Sequence, residues 1–309
     1  MNIAHISYDL SGDAVPLSEL EKLAEIPLSE RYVFEKIFGL KFVIRNLLLT
    51  HEKQLINLLS QFFKKNKVDK NKIQYCFYAH TADDIAPSGF QIFENSLKKH
   101  GLVKTQFFGV SLHKCASVFQ LFKLSSQLFE NLSDEDTILL LVSDLAFTDI
   151  LQYIPGSTVL SDSALLIQLK KSVLHRFVID TILNEQGSFS RGIFGDHEEQ
   201  LLFQSSYLDN VVNTIQKLLH KNNMIISQIK KIFPHNVNVF SWKKVAEKLQ
   251  ISLDRFYLNN ISKIAHCFGA DPFINFFDAE SEGILVSGDY IILVTVGLGS
   301  TFAAMLVKY

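Results

Sequence analysis

The chain has 309 residues, of which 48% are hydrophobic and 20% are charged, and its formal net charge is −2. This length and apolar content predict one large domain, or two closely packed ones, around a substantial buried core. The near-neutral charge argues against a surface for nucleic acid or anionic membranes, because such a surface needs an excess of basic residues.

The sequence also lacks the usual marks of export, membrane insertion and metal binding. Its longest apolar runs, such as 138–142, are far shorter than the roughly 20 residues that a membrane span needs. The first residues have neither the basic nor the apolar region of a signal peptide. The three cysteines form no paired framework, and neither they nor the histidines have metal-ligand spacing. We therefore expect a cytoplasmic protein without a membrane span or a bound metal.

Hydrophobic periodicity in the first half predicts alternating strands and helices. The predicted strands are the first residues, 73–79, 104–110, 137–143, 162–169 and 177–186. The predicted helices are 17–24, 30–38, 52–65, 91–100 and 115–132. The last of these helices is apolar on nearly every side, which is typical of a buried helix. The continuous apolar run 137–143 is typical of a central strand that is covered on both faces.

The second half repeats this order of elements. It predicts helices at 208–220 and 241–249, a turn over 261–272, a buried helix from about 273, and strands at 229–233, 290–296 and 303–308. The polar segment 187–204 is the least regular part, and we expect it to be an insertion loop.

Two stretches of the first half align without gaps on the second half. Leu55–Phe77 falls on Val211–Phe233 at an offset of 156, and 136–145 falls on 289–298 at an offset of 153. A repeat of half the chain length is unlike a solenoid, whose periods are short. It predicts a duplicated α/β unit with its active site where the two halves meet.

Cys115 is the candidate nucleophile. It follows a predicted strand at the first turn of the buried helix, where free N–H groups and the helix dipole stabilise a thiolate. The alternative is a small buried hydrophobic residue, which is what most free cysteines are. We interpret Cys76 and Cys267 as structural.

Two histidines could serve this cysteine. His235 ends the strand 229–233, and the carboxyl ends of strands are where α/β proteins bind ligands. His266 lies in the second-half turn that corresponds to the Cys115 turn, so a pseudo-twofold axis would bring the two turns together. The glycines of 297–303 do not fit a dinucleotide loop, because no βαβ unit follows them. We interpret them as a tight turn whose backbone N–H groups can face an oxyanion.

The order of these motifs resembles the ketosynthase III branch of the thiolase superfamily, the β-ketoacyl-acyl carrier protein synthase III enzymes. The motifs are the cysteine at a buried helix start, PHNVN (234–238), the small-residue turn and GLGSTFAAMLVKY (297–309). Segments 29–39, 79–97 with Pro87 and Ser88, and 160–169 are similar to further family elements.

This resemblance implies a thiolase-like five-layered αβαβα fold made of two duplicated halves. Residues 1–170 would form the half with the nucleophile, and residues 171–309 the half with the active-site histidines. It also implies a homodimer, or a heterodimer with a related ketosynthase-like subunit.

The resemblance also assigns roles to single residues. Cys115 matches the acyl-accepting nucleophile, and His235 matches the histidine of the family's H-Q-A-N motif, with Asn238 in a supporting role. The N–H groups of Cys115 and Leu298 would form the oxyanion hole. Helix positions linked with coenzyme A binding are occupied by Tyr32 and Lys36.

Several positions depart from the family pattern. The family has an asparagine in a G-N-T motif, whereas AHCFGAD (265–271) places His266 there. H-x-x-G-A is similar to the second histidine motif of elongating ketosynthases, which favours a Cys-His-His site. Whether His266 or Asp271 takes over the role of the asparagine stays open. Ser161 and Ser163 replace family glycines. The residues before the nucleophile are bulky, and together these changes indicate a divergent member of secondary-metabolite or specialised-lipid biosynthesis.

The predicted function is acyl-thioester condensation without a bound cofactor. An acyl group from coenzyme A or acyl carrier protein would load on Cys115 and condense with a malonyl-type thioester. The alternative is an O- or N-acyltransferase on the same scaffold, since the missing asparagine matters less for that reaction. A third hypothesis is a partner subunit that has lost its catalytic site.

Overall fold

The structure is a computed structural model, and it describes residues 1–20, 27–81, 89–146, 152–172, 175–185, 191, 195–299 and 301–309. The strands are β1 (Asn2–Asp9), β2 (Asp13–Pro16), β3 (Phe42–Arg45), β4 (Ile73–Ala79), β5 (Gln106–Val110), β6 (Thr137–Asp144), β7 (Tyr153–Ile154), β8 (Thr158–Val159), β9 (Ser163–Lys170), β10 (Phe177–Glu185), β11 (Ile229–Pro234), β12 (Tyr290–Gly297) and β13 (Thr301–Lys308). The α-helices are α1 (Leu28–Tyr32), α2 (His51–Lys65), α3 (Gly89–Lys99), α4 (Ser117–Leu128), α5 (His197–Lys221), α6 (Val239–Leu249), α7 (Ile261–Ile264) and α8 (Asp271–Ser281). A π-helical segment, Val33–Ile37, extends α1.

Among the described residues, nine strands form one sheet in the order β11-β12-β13-β10-β1-β9-β6-β4-β5. Its two halves join where Asn2 of β1 pairs with Phe177 of β10. In each half two parallel strands (β4 with β6, β11 with β12) are followed by two antiparallel pairings. The same pairing order occurs twice, as the internal repeat predicted, and the proposed boundary at 170 falls between β9 and β10.

Successive side chains of a strand point to opposite faces of the sheet. Helices cover both faces in each half, and together they give five layers. In β6, Leu139 and Leu141 face α2 and α3, whereas Ile138 and Leu140 face a middle layer of α4 and α8. The other half of the sheet packs one face on that middle layer and its opposite face on α5 and α6. Every residue of β6 is buried, which is expected for a strand covered on both faces. The layer order is therefore αβαβα.

Three predicted elements differ from the structure or fall partly outside it. The buried helix predicted for 115–132 begins at Ser117, and Cys115 lies in the 3-10 turn Lys114–Ala116 before it. The insertion loop predicted for 187–204 is wrong for 197–204, which form the first turns of α5. The side chain of Asp196 caps the start of α5 by accepting from the N–H of Glu199. The polar residues that follow it are therefore helical. The helix predicted for 17–24 is a 3-10 turn over Leu17–Glu19, and 21–26 lie outside the described residues, as do Pro87 and Ser88.

The described helices include none that is long and apolar enough to cross a bilayer.

Two glycines let the halves approach closely at the turn that carries Cys115. A methyl group on Gly269 would lie 2.8 Å from the carbonyl oxygen of Cys115. A methyl group on Gly297, at the end of β12, would overlap the carbonyl oxygen of His113. Only a residue without a side chain fits at either contact. The position of the Cys115 turn therefore depends on glycine in the second half.

We expect Gly297→Ala to displace this turn. Overpacking typically costs about 1–3 kcal/mol, so the free energy of unfolding should fall by about 2 kcal/mol, and alkylation of Cys115 should slow. Denaturant unfolding and intact-mass spectrometry measure the two effects. Gly109→Ala is the matched control, since the nearest atom to its added methyl group, the carbonyl oxygen of Tyr78, is 4.0 Å away. A Gly297→Ala protein that behaves like this control would contradict the close packing.

Candidate active site

The thiol of Cys115 is buried at the junction of the two halves. Its turn follows β5 and precedes α4, and Lys114 before it has a left-handed backbone with φ of 51°. The hydroxyl of Thr81, just beyond β4, lies 3.6 Å from Sγ. The backbone N–H of Thr81 donates to Asp144 at 2.7 Å, which fixes the hydroxyl beside the thiol.

His266 faces Cys115 from the other half. Its Nε2 lies 3.7 Å from Sγ, and its Nδ1 lies 2.5 Å from Oδ2 of Asp271. The backbone of His266 is held on both sides, since its N–H donates to Val159 and its carbonyl accepts from Ser161. The thiol, imidazole and carboxylate therefore stand in a row, an arrangement that can pass a proton to and from the sulfur.

The carboxylate at the end of this row is fully buried and well satisfied. Besides His266, Asp271 accepts from the backbone N–H of Asn236 (2.6 Å), the side-chain amide of Asn236 (3.0 Å) and the backbone N–H of Cys267 (2.8 Å). These hydrogen bonds give the buried carboxylate the partners it needs inside the protein. They also leave Oδ2 directed at the imidazole.

Asp271 determines the charge of His266. Burial alone would lower the pKa of His266, but the charge of Asp271, their hydrogen bond and the contact with Cys115 raise it to about 10. The imidazole is therefore protonated at neutral pH. A cation next to a sulfur atom favours the thiolate, which is the nucleophilic form.

His235 lies at the end of β11, and its imidazole is neutral whereas that of His266 is charged. Burial first, and then the charge of His266, lower the pKa of His235 well below its usual value, so this imidazole is neutral. Its ring centroid is 5.9 Å from that of His266, and its Nε2 lies 2.8 Å from the hydroxyl of Tyr207. Two neighbouring groups with pKa values moved apart are typical of acid–base sites.

Two adjoining cavities lie at this site, and the smaller one reaches the thiol. A 60 Å³ cavity contacts Cys115, His235 and His266, and a 310 Å³ channel continues from it towards the surface. They share the residues Ile154, Ser157, Phe203, Tyr207, Val237 and Leu298. The channel offers a route for a long, narrow substrate arm.

The other predicted site residues lie farther from the thiol. Leu298 lines both cavities and lies two residues before Ser300, which is outside the described residues. Asn238 lines the channel, caps α6 through Ser241 and donates to the carbonyl of Ser157 at 3.1 Å. Tyr32 and Lys36 are exposed and line neither cavity.

Sequence reasoning missed three residues at this site. Thr81 has no sequence signal, because a lone threonine in a polar turn is compatible with many roles. Tyr207 lies next to a segment predicted to be a loop, which hid the helical face that directs it to His235. Asn236 stands between His235 and Asn238 in PHNVN, and only the fold brings it to Asp271.

The C-terminal part of the chain matches a known protein family. Residues 219–309 match the family described as 3-oxoacyl-[acyl-carrier-protein (ACP)] synthase III C terminal. A stretch of 111 residues is 38% identical to the β-ketoacyl-[acyl-carrier-protein] synthase III of Clostridium beijerinckii, covering 36% of this chain and 33% of the relative. The enzyme of the same name from Campylobacter jejuni is 30% identical over 102 residues, 33% of this chain and 31% of the relative. The chain thus covers about a third of the length of these curated relatives.

Solved structures resemble the chain over nearly its whole length. ChlB3, described as an acyltransferase, superimposes with a TM-score of 0.84 at 14% identity, covering 99% of this chain and 97% of ChlB3. The 3-oxoacyl-[acyl-carrier-protein] synthase III of Aquifex aeolicus gives 0.79 at 16% identity, covering 100% and 99%. OleA of Xanthomonas gives 0.79 at 14% identity, covering 100% and 98%. The predicted thiolase-like fold is confirmed, and so is the predicted resemblance to a divergent ketosynthase III.

We expect Asp271→Asn to remove the pH dependence of stability that His266 creates. Because the folded-state pKa of His266 is raised, its stabilising contribution is complete below pH 6.5 and is lost as the pH rises through about 10. The free energy of unfolding of the unmodified protein should therefore decline over this window, and Asp271→Asn should flatten the decline. Urea unfolding between pH 6 and about 10 measures it.

The matched control is Asp69→Asn, which changes an exposed carboxylate at a 3-10 turn. It should keep the slope of the unmodified protein. An unchanged slope in Asp271→Asn would show that the carboxylate does not set the charge of His266.

Proposed function

We propose that this chain, a divergent relative of the β-ketoacyl-[acyl-carrier-protein] synthase III enzymes, is an acyl-thioester condensing enzyme. The observation that carries the proposal is the buried thiol of Cys115 beside two imidazoles, one of which is charged and one neutral. The substrates would be thioesters of coenzyme A or of the phosphopantetheine of acyl carrier protein, in specialised lipid or secondary-metabolite biosynthesis. The channel supports this substrate class, since it adjoins the cavity that Cys115 lines and gives a flexible arm room to reach the thiol.

In the first half-reaction the thiolate of Cys115 attacks the thioester carbonyl. The negative charge that develops on the carbonyl oxygen would be held by the N–H groups of Cys115 and Leu298. The C–S bond of the donor then breaks, and the carrier thiolate leaves with or without the proton of His266. The acyl group remains on Cys115.

In the second half-reaction a malonyl-type thioester enters the same cavity. Loss of carbon dioxide leaves an enolate, whose oxygen needs hydrogen-bond donors. His266, protonated at Nε2, would take over the donor role of the family's asparagine, and His235 would supply the second contact. The carbanion attacks the acyl carbonyl, and Cys115 leaves as a thiolate.

Transfer to an oxygen or nitrogen acceptor is the second candidate, and Asp271 is the observation that favours it. If the departing thiolate takes the Nε2 proton of His266, Nδ1 keeps its proton towards Asp271 and Nε2 becomes a free base. That base could deprotonate an O–H or N–H acceptor. The two functions therefore differ in whether His266 is charged or neutral in the acyl-enzyme.

We also propose that the chain acts in the cytoplasm as a homodimer or as a heterodimer with a related subunit. Strand β5 ends the described sheet, and Phe108 on it is 53% exposed, so this edge could pair with a second chain. Light scattering at micromolar concentration should give twice the mass of the chain, or the mass of a mixed pair. A mass of 35.1 kDa, that of a single chain, would contradict the assembly.

Incubation with an acyl-coenzyme A or an acylated carrier protein should add one acyl group to Cys115. Cys115→Ala should abolish the mass increase, because no other described cysteine adjoins a charged imidazole and a cavity. Cys76→Ala and Cys267→Ala are the controls, since both thiols are buried and burial raises their pKa. Intact-mass spectrometry measures the adduct. An adduct that persists in Cys115→Ala would overturn the assignment.

Removal of His266 separates the two candidate functions. If the enzyme condenses, His266→Ala should slow carbon dioxide release from a malonyl thioester by about 10²–10³-fold, the scale of one lost oxyanion donor. His266→Asn should restore part of it, because an amide N–H can replace the imidazole donor. Release of labelled carbon dioxide measures both variants. If the unmodified protein releases none but transfers acyl groups to an alcohol or amine, the acyltransferase function is correct.

A further inference from the structure

We infer that Asn236 and Asn275 are positioning residues, which hold Asp271 ionised and aligned with His266. This inference concerns the charge beside the Cys115 thiol and rests on the proposed function. Neither residue touches the thiol or either cavity. Both are completely buried, so their amides must find partners inside the protein.

The amides form a directed chain that ends on the carboxylate. Asn260 donates to the side-chain oxygen of Asn275 at 2.9 Å, and Asn275 donates to the side-chain oxygen of Asn236 at 2.8 Å. Asn236 in turn donates to Oδ1 of Asp271 at 3.0 Å. Every amide therefore presents its N–H group in the direction of Asp271. Hydrogen bonds that run in one direction polarise one another, which favours negative charge at the last acceptor.

Additional hydrogen bonds fix the orientation of these asparagine amides. The amide of Asn275 also donates to the carbonyl of Pro234 at 2.7 Å, at the end of β11. The far end is tied to Asp278, which accepts from Asn260 at 2.7 Å and from the hydroxyl of Tyr8 at 2.8 Å. If the amide of Asn236 were flipped, it would place its oxygen against the carboxylate and its N–H groups against another N–H group. Asn236 can therefore only donate to Asp271.

The consequence reaches the sulfur through His266. An ionised Asp271 with Oδ2 held at Nδ1 keeps His266 protonated, and the charged ring faces Sγ of Cys115 at 3.7 Å. The other titratable groups around this row are His235 on β11, Cys267 beside His266, and the carboxylates of Asp162 and Asp278, which act on Cys267. His235 and Cys267 stay neutral at neutral pH, since burial moves their pKa values in the direction of the neutral form. The charge of His266 therefore depends mainly on Asp271.

Alkylation of Cys115 by iodoacetamide tests this inference without an acyl substrate. Asn236→Ala keeps the backbone contact to Asp271 but removes the amide, so alkylation at pH 7 should slow about tenfold, the scale of one lost hydrogen bond to a charged group. The profile of the alkylation rate against pH should also move to higher pH, because His266 carries less positive charge beside the sulfur. In the Asp271→Asn background the same substitution should have no further effect on this profile, because the partner is already gone.

Asn2→Ala is the matched control. It removes another buried asparagine, which is remote from the site and whose amide donates to the carbonyl of Lys171 at a distance of 2.9 Å. Asn2→Ala should lower the free energy of unfolding and leave the alkylation profile unchanged. If Asn236→Ala does not fold, Asn260→Ala tests the far end of the chain, with a smaller shift of the same sign expected. A variant that only loses stability, or whose effect persists in Asp271→Asn, would overturn the inference. This test can be interpreted even if acyl loading of Cys115 fails, because the reaction with iodoacetamide depends on the thiol and needs no acyl substrate.

Discussion

The hydrogen bond between His266 and Asp271 is the interaction on which the site depends. It places a positive imidazole in a fully buried position, where an unpaired charge would be very unfavourable. The imidazole can stay charged because Asp271 pairs with it and three further N–H contacts satisfy the carboxylate. The charge is then available to the sulfur of Cys115. Without the carboxylate, burial would make this histidine neutral, as it does His235.

This interaction can form because two copies of one unit meet at the starts of their middle-layer helices. The 3-10 turn Lys114–Ala116 precedes α4, and the 3-10 turn Phe268–Ala270 precedes α8. Phe122 of α4 and Phe273 of α8 stack with centroids 5.4 Å apart, which locks the two helices side by side. The nucleophile comes from one copy and the imidazole from the other. Duplication has thus supplied two equivalent positions that carry different chemistry.

Much of this architecture could be predicted from the sequence. The repeat at offsets of 156 and 153 indicated two copies, and the apolar run 137–143 indicated a strand covered on both faces, which β6 is. The same repeat placed the turns of Cys115 and His266 at equivalent positions. These inferences succeed because burial on both faces and strand order leave a periodic pattern in the residues.

The remaining features depend on contacts that no local pattern records. The segment 197–204 is polar, yet it forms the first turns of α5, which have no counterpart in α2, and its residues Gln200, Phe203 and Gln204 face the channel. Tyr207 reaches His235 only through that helix. Asp271 could be suspected from its place five residues after His266, but its hydrogen bonds with Asn236 exist only once β11 and α8 are packed together.

Nitrogen-15 NMR of histidine-labelled protein at pH 8 tests the charge of His266 most directly, with His266→Gln to assign the signal. We expect both ring nitrogens of His266 to be protonated, with one proton at low field in the bond to Asp271, while His235 is neutral in the same spectrum. Alkylation of Cys115 should then lower the pH at which His266 loses its proton. A His266 signal that is neutral at pH 8, and unchanged by alkylation of Cys115, would show that Asp271 does not keep a charged imidazole beside the thiol.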